Sequence, residues 1–264
     1  MQDDWLPPAE ALAAFPVRQW VVAWAKHPLL RTWRLDGPAG EPGLYVKAGR
    51  GRAHAEVIAE RARLEWAAGR LAVPEVVAGG ESDAIAWHAT RAMPGSPGVA
   101  PENLERPAEL AAAMGRGLRR FHAAAIEVCP FDFRNARALE IARSNVSAAR
   151  FLQSDLLPEH QGMDLAEALA TMEALVPCRE EVVLTHGDYC VPNVLLEDGE
   201  VTGFVDIGGL GLADRWRDLA VGTWSVTRNL GPGFEGVFLE GYGVEADPRR
   251  QKFCRLLYDL AAPF

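Results

Sequence analysis

The sequence contains no apolar stretch approaching the ~20 residues a membrane-spanning helix needs. Its start, MQDDWLPPAEALAAF, lacks the basic opening and apolar core of a secretion signal, so a cytoplasmic location is expected. Cysteine is scarce. Cys129, Cys178, Cys190 and Cys254 are widely spaced, with no CxxC pair and no histidine at zinc-ligand spacing. That pattern argues against a disulfide framework or a zinc module and for reduced thiols. Positive charge is also in short supply: 27 Lys and Arg face 36 Asp and Glu, a formal net charge of −9. A nucleic-acid backbone is therefore not the expected partner. No internal repeat or low-complexity tract occurs. The 49% hydrophobic content suffices for a core in one large domain or two lobes.

What is present changes character along the chain. Residues 17–25, 31–35 and 43–48 are rich in β-branched and aromatic side chains and separated by Pro and Gly, so they predict antiparallel strands. From His54 to Gly69 apolar residues recur at helical spacing, and two more strands are expected at 75–78 and 84–90. Residues 94–107, rich in Pro and Gly, read as a linker between an N-terminal lobe (1–93) and a C-terminal lobe (108–264). Helical patterns dominate the second lobe, at 108–125, 138–151, 164–175, 215–229, 234–241 and 248–260. Short strands at 182–184, 194–196 and 201–205 are set among them. The expected class is α+β, with a small β-rich lobe carrying one helix and a larger, mostly helical lobe.

The densest chemistry lies in LTHGDYCVPNVLLEDGEVTGFVDIGGLGLADRWRDLA. An isolated His-Gly-Asp is more often a turn than a site. Here Asp188 is followed by Asn193 at the start of one strand and by Asp206 at the end of the next. The turn at Asp198-Gly199 folds those strands into a hairpin, bringing Asn193 and Asp206 to the same end. A carboxylate base beside a carboxamide and a second carboxylate suits phosphoryl transfer from a magnesium-bound nucleotide.

These residues resemble those of the aminoglycoside phosphotransferases, most closely the kanamycin and neomycin 3′-kinases. The segments CPFDFR (129–134), LLPEHQG (156–162) and KFCRLLYDL (252–260) extend the resemblance over most of the chain. It implies a bilobal, protein-kinase-like fold and a resistance enzyme that phosphorylates an antibiotic hydroxyl with ATP (or GTP) and Mg²⁺. It further implies Asp188 as catalytic base, Asn193 and Asp206 as metal ligands, and His186 as an organiser of its loop. Lys47, with Glu60 (or Glu56, one helical turn earlier) on the following helix, would hold nucleotide phosphates. The adenine would dock on backbone near Arg91 and Met93. Asp155, Glu159, Asp259 and the terminal Phe264 are the implied acceptor contacts.

Departures from the family pattern bear on substrate. The nucleotide-covering loop, counted to residues 25–30, reads AKHPLL and has no glycine to let amides approach phosphates. Leu157, Pro158, Ser225 and Arg228 stand where the family is often acidic, and Gly209 where it often has arginine. A polycationic aminoglycoside is the leading acceptor. The same chemistry on a less cationic antibiotic, sugar or metabolite is the alternative, and a binding-only relative the third reading. Oligomeric state is left open.

Overall fold

The computed structural model describes residues 5–37, 41–124, 129–151 and 156–261. The chain divides into two compact units, Met1–Pro94 and Gly95–Phe264. Among the described residues no helix is long and apolar enough to cross a membrane.

In the first unit, α1 (Ala9–Ala14) precedes β1 (Gln19–His27), β2 (Leu30–Asp36) and β3 (Leu44–Arg50). Helix α2 (Arg52–Ala67), β4 (Val76–Glu81) and β5 (Ile85–Arg91) follow. The strands make one antiparallel sheet in the order β1-β2-β3-β5-β4. Because successive side chains alternate between faces, Trp33, Leu35, Leu44, Val46 and Ala48 all enter one core with Trp87 and Ala89. Lys47 and Gly49 fall on the other face, where α2 packs. A Cβ on Gly49 would lie 2.3 Å from the Ala53 carbonyl oxygen, so glycine is what lets helix and strand meet. The buried stripe of α2 runs Ala53, Val57, Glu60, Leu64, Ala67, at helical spacing. An acid therefore stands in the middle of this stripe, with Arg63 buried three residues further on.

The β1–β2 connection differs from the expected loop over residues 25–30. Strand β1 runs on to His27, which pairs with Leu30, leaving Pro28 and Leu29 as a two-residue turn. The Leu29 and Pro28 carbonyls accept from the Arg50 amide (2.9 Å) and guanidinium (3.2 Å). A two-residue turn containing proline cannot present the run of consecutive amides that makes a phosphate nest.

The second unit starts with β6 (Ser96–Pro97), α3 (Pro101–Leu104) and α4 (Pro107–His122). Residues 94–107 are thus largely ordered structure. Ser96 and Pro97 pair with Leu196 and Leu195, and the Gly98 amide donates to the Val194 carbonyl at 2.9 Å. Next come α5 (Asn135–Ser147), α6 (Leu165–Leu175), β7 (Val182–Thr185), β8 (Val194–Glu197), β9 (Glu200–Phe204) and β10 (Gly211–Asp214). The chain continues with α7 (Trp216–Leu230), α8 (Glu235–Tyr242) and α9 (Pro248–Leu260). Strand β10, unexpected from the sequence, pairs antiparallel with β7, while β6, β8 and β9 form a second small sheet. Asp198 (φ 52°) and Gly199 (φ 76°) make the expected β8–β9 turn, both with the positive φ that two-residue hairpins favour. Helices α4 and α8 cross at backbone contact: a Cβ on Gly115 would lie 2.2 Å from the Phe238 carbonyl oxygen. The sequence placed α5 at 138–151; it starts earlier, where the Asn135 amide donates to Glu180 at 2.7 Å.

Candidate active site

Strand β7 delivers His186, Gly187 and Asp188, and a 3₁₀ turn over Val191–Asn193 leads into β8. The loop between them is fastened on several sides. Gly187 adopts φ 88° and packs so closely on Gly209 that a Cβ would sit 2.2 Å from its carbonyl oxygen, so only glycine fits. The amides of His186 (2.6 Å) and Gly187 (2.8 Å) donate to the two carboxylate oxygens of Asp218 on α7. The Val191 amide donates to Ser225 Oγ at 2.9 Å, and the buried Tyr189 hydroxyl donates to the Met114 carbonyl at 2.8 Å.

Asp218 is completely buried. A carboxylate can only accept, so Nε2 of His122, 3.0 Å away, carries the hydrogen, and the Tyr242 hydroxyl completes the chain at His122 Nδ1 (2.9 Å). Burial opposes the charge on Asp218. The hydrogen bond from His122 and the fields of His122, His186 and Arg217 outweigh it and hold the carboxyl below its usual range. Both ring nitrogens of His186 are also engaged: Nδ1 accepts from the Asp188 amide (3.3 Å) and Nε2 donates to the Val205 carbonyl (3.1 Å). Such a histidine orders the loop and has no nitrogen left for proton transfer.

Asp188 is half-buried. Asn193 Nδ2 donates to its Oδ2 (2.9 Å) and to its main-chain carbonyl (2.9 Å). The Tyr258 hydroxyl from α9 and the Cys190 thiol both donate to Oδ1, each at 3.0 Å. Across the hairpin the Val205 amide donates to the Asn193 carbonyl at 3.0 Å, bringing Asp206 to the same end as Asn193. Asp206 is exposed and adopts φ 60°, a left-handed conformation uncommon for any residue but glycine. Asn193 gives its nitrogen to Asp188, so its Oδ1 faces away from that pair, and no described residue donates to it. A carboxamide oxygen and an exposed carboxylate are hard donors suited to Mg²⁺.

In the first unit Lys47 Nζ lies 2.6 Å from Glu60 Oε2, both side chains mostly buried. Glu60 thus meets Lys47 directly. Arg91 pairs with Glu75 at 2.9 Å, and its amide donates to the Glu75 carbonyl. The Ala92 amide donates to Gly43, whereas among the described residues no backbone partner meets the Met93 amide or carbonyl.

The acceptor residues expected from the sequence divide. Asp155 and Phe264 lie outside the described residues. Asp259 is buried: its oxygens accept from the Leu157 amide (3.0 and 3.1 Å) and from His160, which makes it an internal clamp. Glu159 is exposed and pairs with Arg255 at 3.3 Å. Asp218, His122, Tyr242 and Tyr258 received no role from the sequence. Asp218 alone left a trace, as the one acid among the buried residues of its helix.

The pattern of the phosphotransferase enzyme family matches residues 29–254, and the chain belongs to that family. Within it the similarity narrows. An aminoglycoside 3′-phosphotransferase of Streptomyces fradiae is 34% identical over 232 residues, 84% of this chain and 87% of that protein. A streptomycin 3″-kinase of Streptomyces griseus is 34% identical over 212 residues, 74% and 76% of the two chains. The crystal structure of an aminoglycoside-3′-phosphotransferase of type VIII matches with a TM-score of 0.83 at 33% identity, covering 95% of this chain and 97% of that one. The aminoglycoside phosphotransferase APH(3″)-Id of Streptomyces rimosus, in complex with ADP and streptomycin, gives 0.78 at 26% identity, covering 95% and 96%. The fold is the α+β, kinase-like fold of these enzymes.

Proposed function

We propose that this phosphotransferase moves the γ-phosphoryl group of ATP to a hydroxyl of an aminoglycoside, in the manner of the 3′-kinases, and so confers resistance. The observation that carries the reading is the Asp188–Asn193 pair at the head of the β8–β9 hairpin, with Asp206 at the same end. Asp188 takes the proton of the attacking hydroxyl. Asn193 Oδ1 and the Asp206 carboxylate would hold Mg²⁺, which neutralises charge on the transferred phosphoryl group. The Lys47 ammonium, oriented by Glu60, is suited to the α- and β-phosphates, and the Met93 backbone groups are suited to the adenine edge. GTP is the alternative nucleotide. With no amide nest in the β1–β2 turn, charge from Lys47 and the metal has to carry more of the phosphate binding.

One observation favours a second reading, the same chemistry on a less cationic acceptor. Of the described acceptor candidates, Asp259 turns its carboxylate inward and Glu159 already faces Arg255. Each missing charge-assisted contact weakens a polycation by about 1.5–3 kcal/mol. A panel of kanamycin, neomycin, streptomycin, simple sugars and water, read by acceptor-dependent ADP release with the wild type and Asp188→Asn, decides between them. Turnover of the aminoglycosides, lost in the variant, is the expected result. Turnover confined to an uncharged sugar selects the second reading. Nucleotide binding without transfer to any acceptor would leave a binding protein.

A further inference from the structure

Helix α9 supplies the Asp188 site with a side chain for which the proposed chemistry has so far found no use. The Tyr258 hydroxyl and the Cys190 thiol both donate to Oδ1, each at 3.0 Å, while Asn193 Nδ2 donates to Oδ2 at 2.9 Å. A carboxylate offers about four lone-pair positions. Three are filled by protein donors, two of them on one oxygen. The fourth is on Oδ2. Burial, and then the negative charge of Asp188, push the Tyr258 phenol well above its usual range, so it stays protonated as a donor. Burial does the same for Cys190. The donors come from different directions: Cys190 and Asn193 from the loop itself, Tyr258 from a helix 70 residues further along the chain. A carboxylate gripped from both sides cannot rotate about its χ2 without breaking one of these bonds.

We propose that Tyr258 is the positioning residue of Asp188. Together with Cys190 it saturates Oδ1, and Oδ2 becomes the atom that receives the acceptor's proton. The inference rests on the phosphotransferase reading above. In the step itself the acceptor O–H bond breaks and its proton passes to Oδ2. The acceptor oxygen forms a bond to the γ-phosphorus, and the bond from that phosphorus to the bridging oxygen breaks. Its electron pair leaves with the nucleoside diphosphate. Tyr258 takes no proton in this scheme; it fixes which oxygen does.

Tyr258→Phe removes the hydroxyl and keeps the ring. With the full-length protein, kcat is expected to fall about tenfold, the kinetic equivalent of one directed hydrogen bond. KM for ATP and for the acceptor should stay within about twofold, since positioning acts in the transition state. An unchanged kcat overturns the proposal. So does a rise in KM that accounts for the whole loss. Urea denaturation of wild type, Asp188→Ala, Tyr258→Phe and the double variant gives a readout free of turnover, because alanine leaves no acceptor for the Tyr258 hydroxyl. Non-additive midpoints are expected from a direct contact, and additive midpoints overturn it. A wild type inert toward every acceptor but with non-additive midpoints refutes the functional reading, and with it the role of Oδ2. An active wild type with additive midpoints refutes the positioning role alone.

Discussion

The two units secure their charged groups by different means. In the first, Lys47 projects from the middle of a strand and meets Glu60 in the buried stripe of a helix, two rigid elements sharing one ion pair. In the second, Asp188 sits on a loop that belongs to no strand or helix and is tied down by Asp218, Ser225, Met114, Asn193 and Tyr258. The difference fits the roles proposed for the two charges. An ammonium that attracts phosphate acts through a field falling off slowly with distance, so a sheet and a helix place it well enough. A proton acceptor works only within hydrogen-bond reach and along a lone-pair direction. Direction needs several tethers, and a loop can take them from many sides.

Removing the proposed proton acceptor should break the comparison hardest. Asp188→Asn keeps the size and most hydrogen bonds, and kcat is expected to fall about 10⁴-fold with ATP affinity retained. Steady-state kinetics and nucleotide titration check both halves. Lys47→Met comes next, with an expected drop of about 10²-fold in kcat/KM for ATP. It also removes the ammonium that meets the mostly buried Glu60 carboxylate, so the melting temperature should fall as well. Glu60→Gln added to Lys47→Met should restore stability without restoring turnover.

Asp218→Asn probes the tethers themselves. An amide offers one acceptor oxygen where three donors converge, so the loss is expected to be about 1–3 kcal/mol of stability, read by chemical denaturation. Its pH dependence has a definite sign. The folded Asp218 carboxyl is held below its unfolded value of about 4, so its stabilising share is present at neutral pH. That share is lost as pH falls through the depressed value. The gap between wild type and Asp218→Asn should therefore narrow on acidification, and a gap that widens would contradict the assignment.

Much of the architecture was legible because periodicity switches clearly, from alternating residues in β2 and β3 to helical spacing in α2, α7 and α9. The Asp198-Gly199 turn was legible because its dipeptide prefers the positive φ it adopts. Strand β10 was not. Its four residues run straight into a helix, and only pairing with β7 defines them. The β1–β2 loop was drawn too wide because strand pairing carries β1 to His27 and starts β2 at Leu30. At the site, Asp188, Asn193 and Asp206 stand out because they cluster within 19 residues of one hairpin-forming segment. Tyr258 does not, since nothing local indicates that α9 returns to the loop. Asp259 shows the opposite limit: an acid at a plausible position whose direction, inward to Leu157 and His160, is decided by packing.

The left-handed backbone at Asp206 sets stability against the metal-holding role proposed for it, at one residue. Glycine would adopt φ 60° with less strain, so Asp206→Gly is expected to cost little stability or to gain up to about 1 kcal/mol, while turnover collapses. A thermal melt beside a kinetic assay would read both. Selecting variants for heat tolerance alone would then favour inactive proteins at this position, and any search for a hardier form has to screen for turnover from the first round.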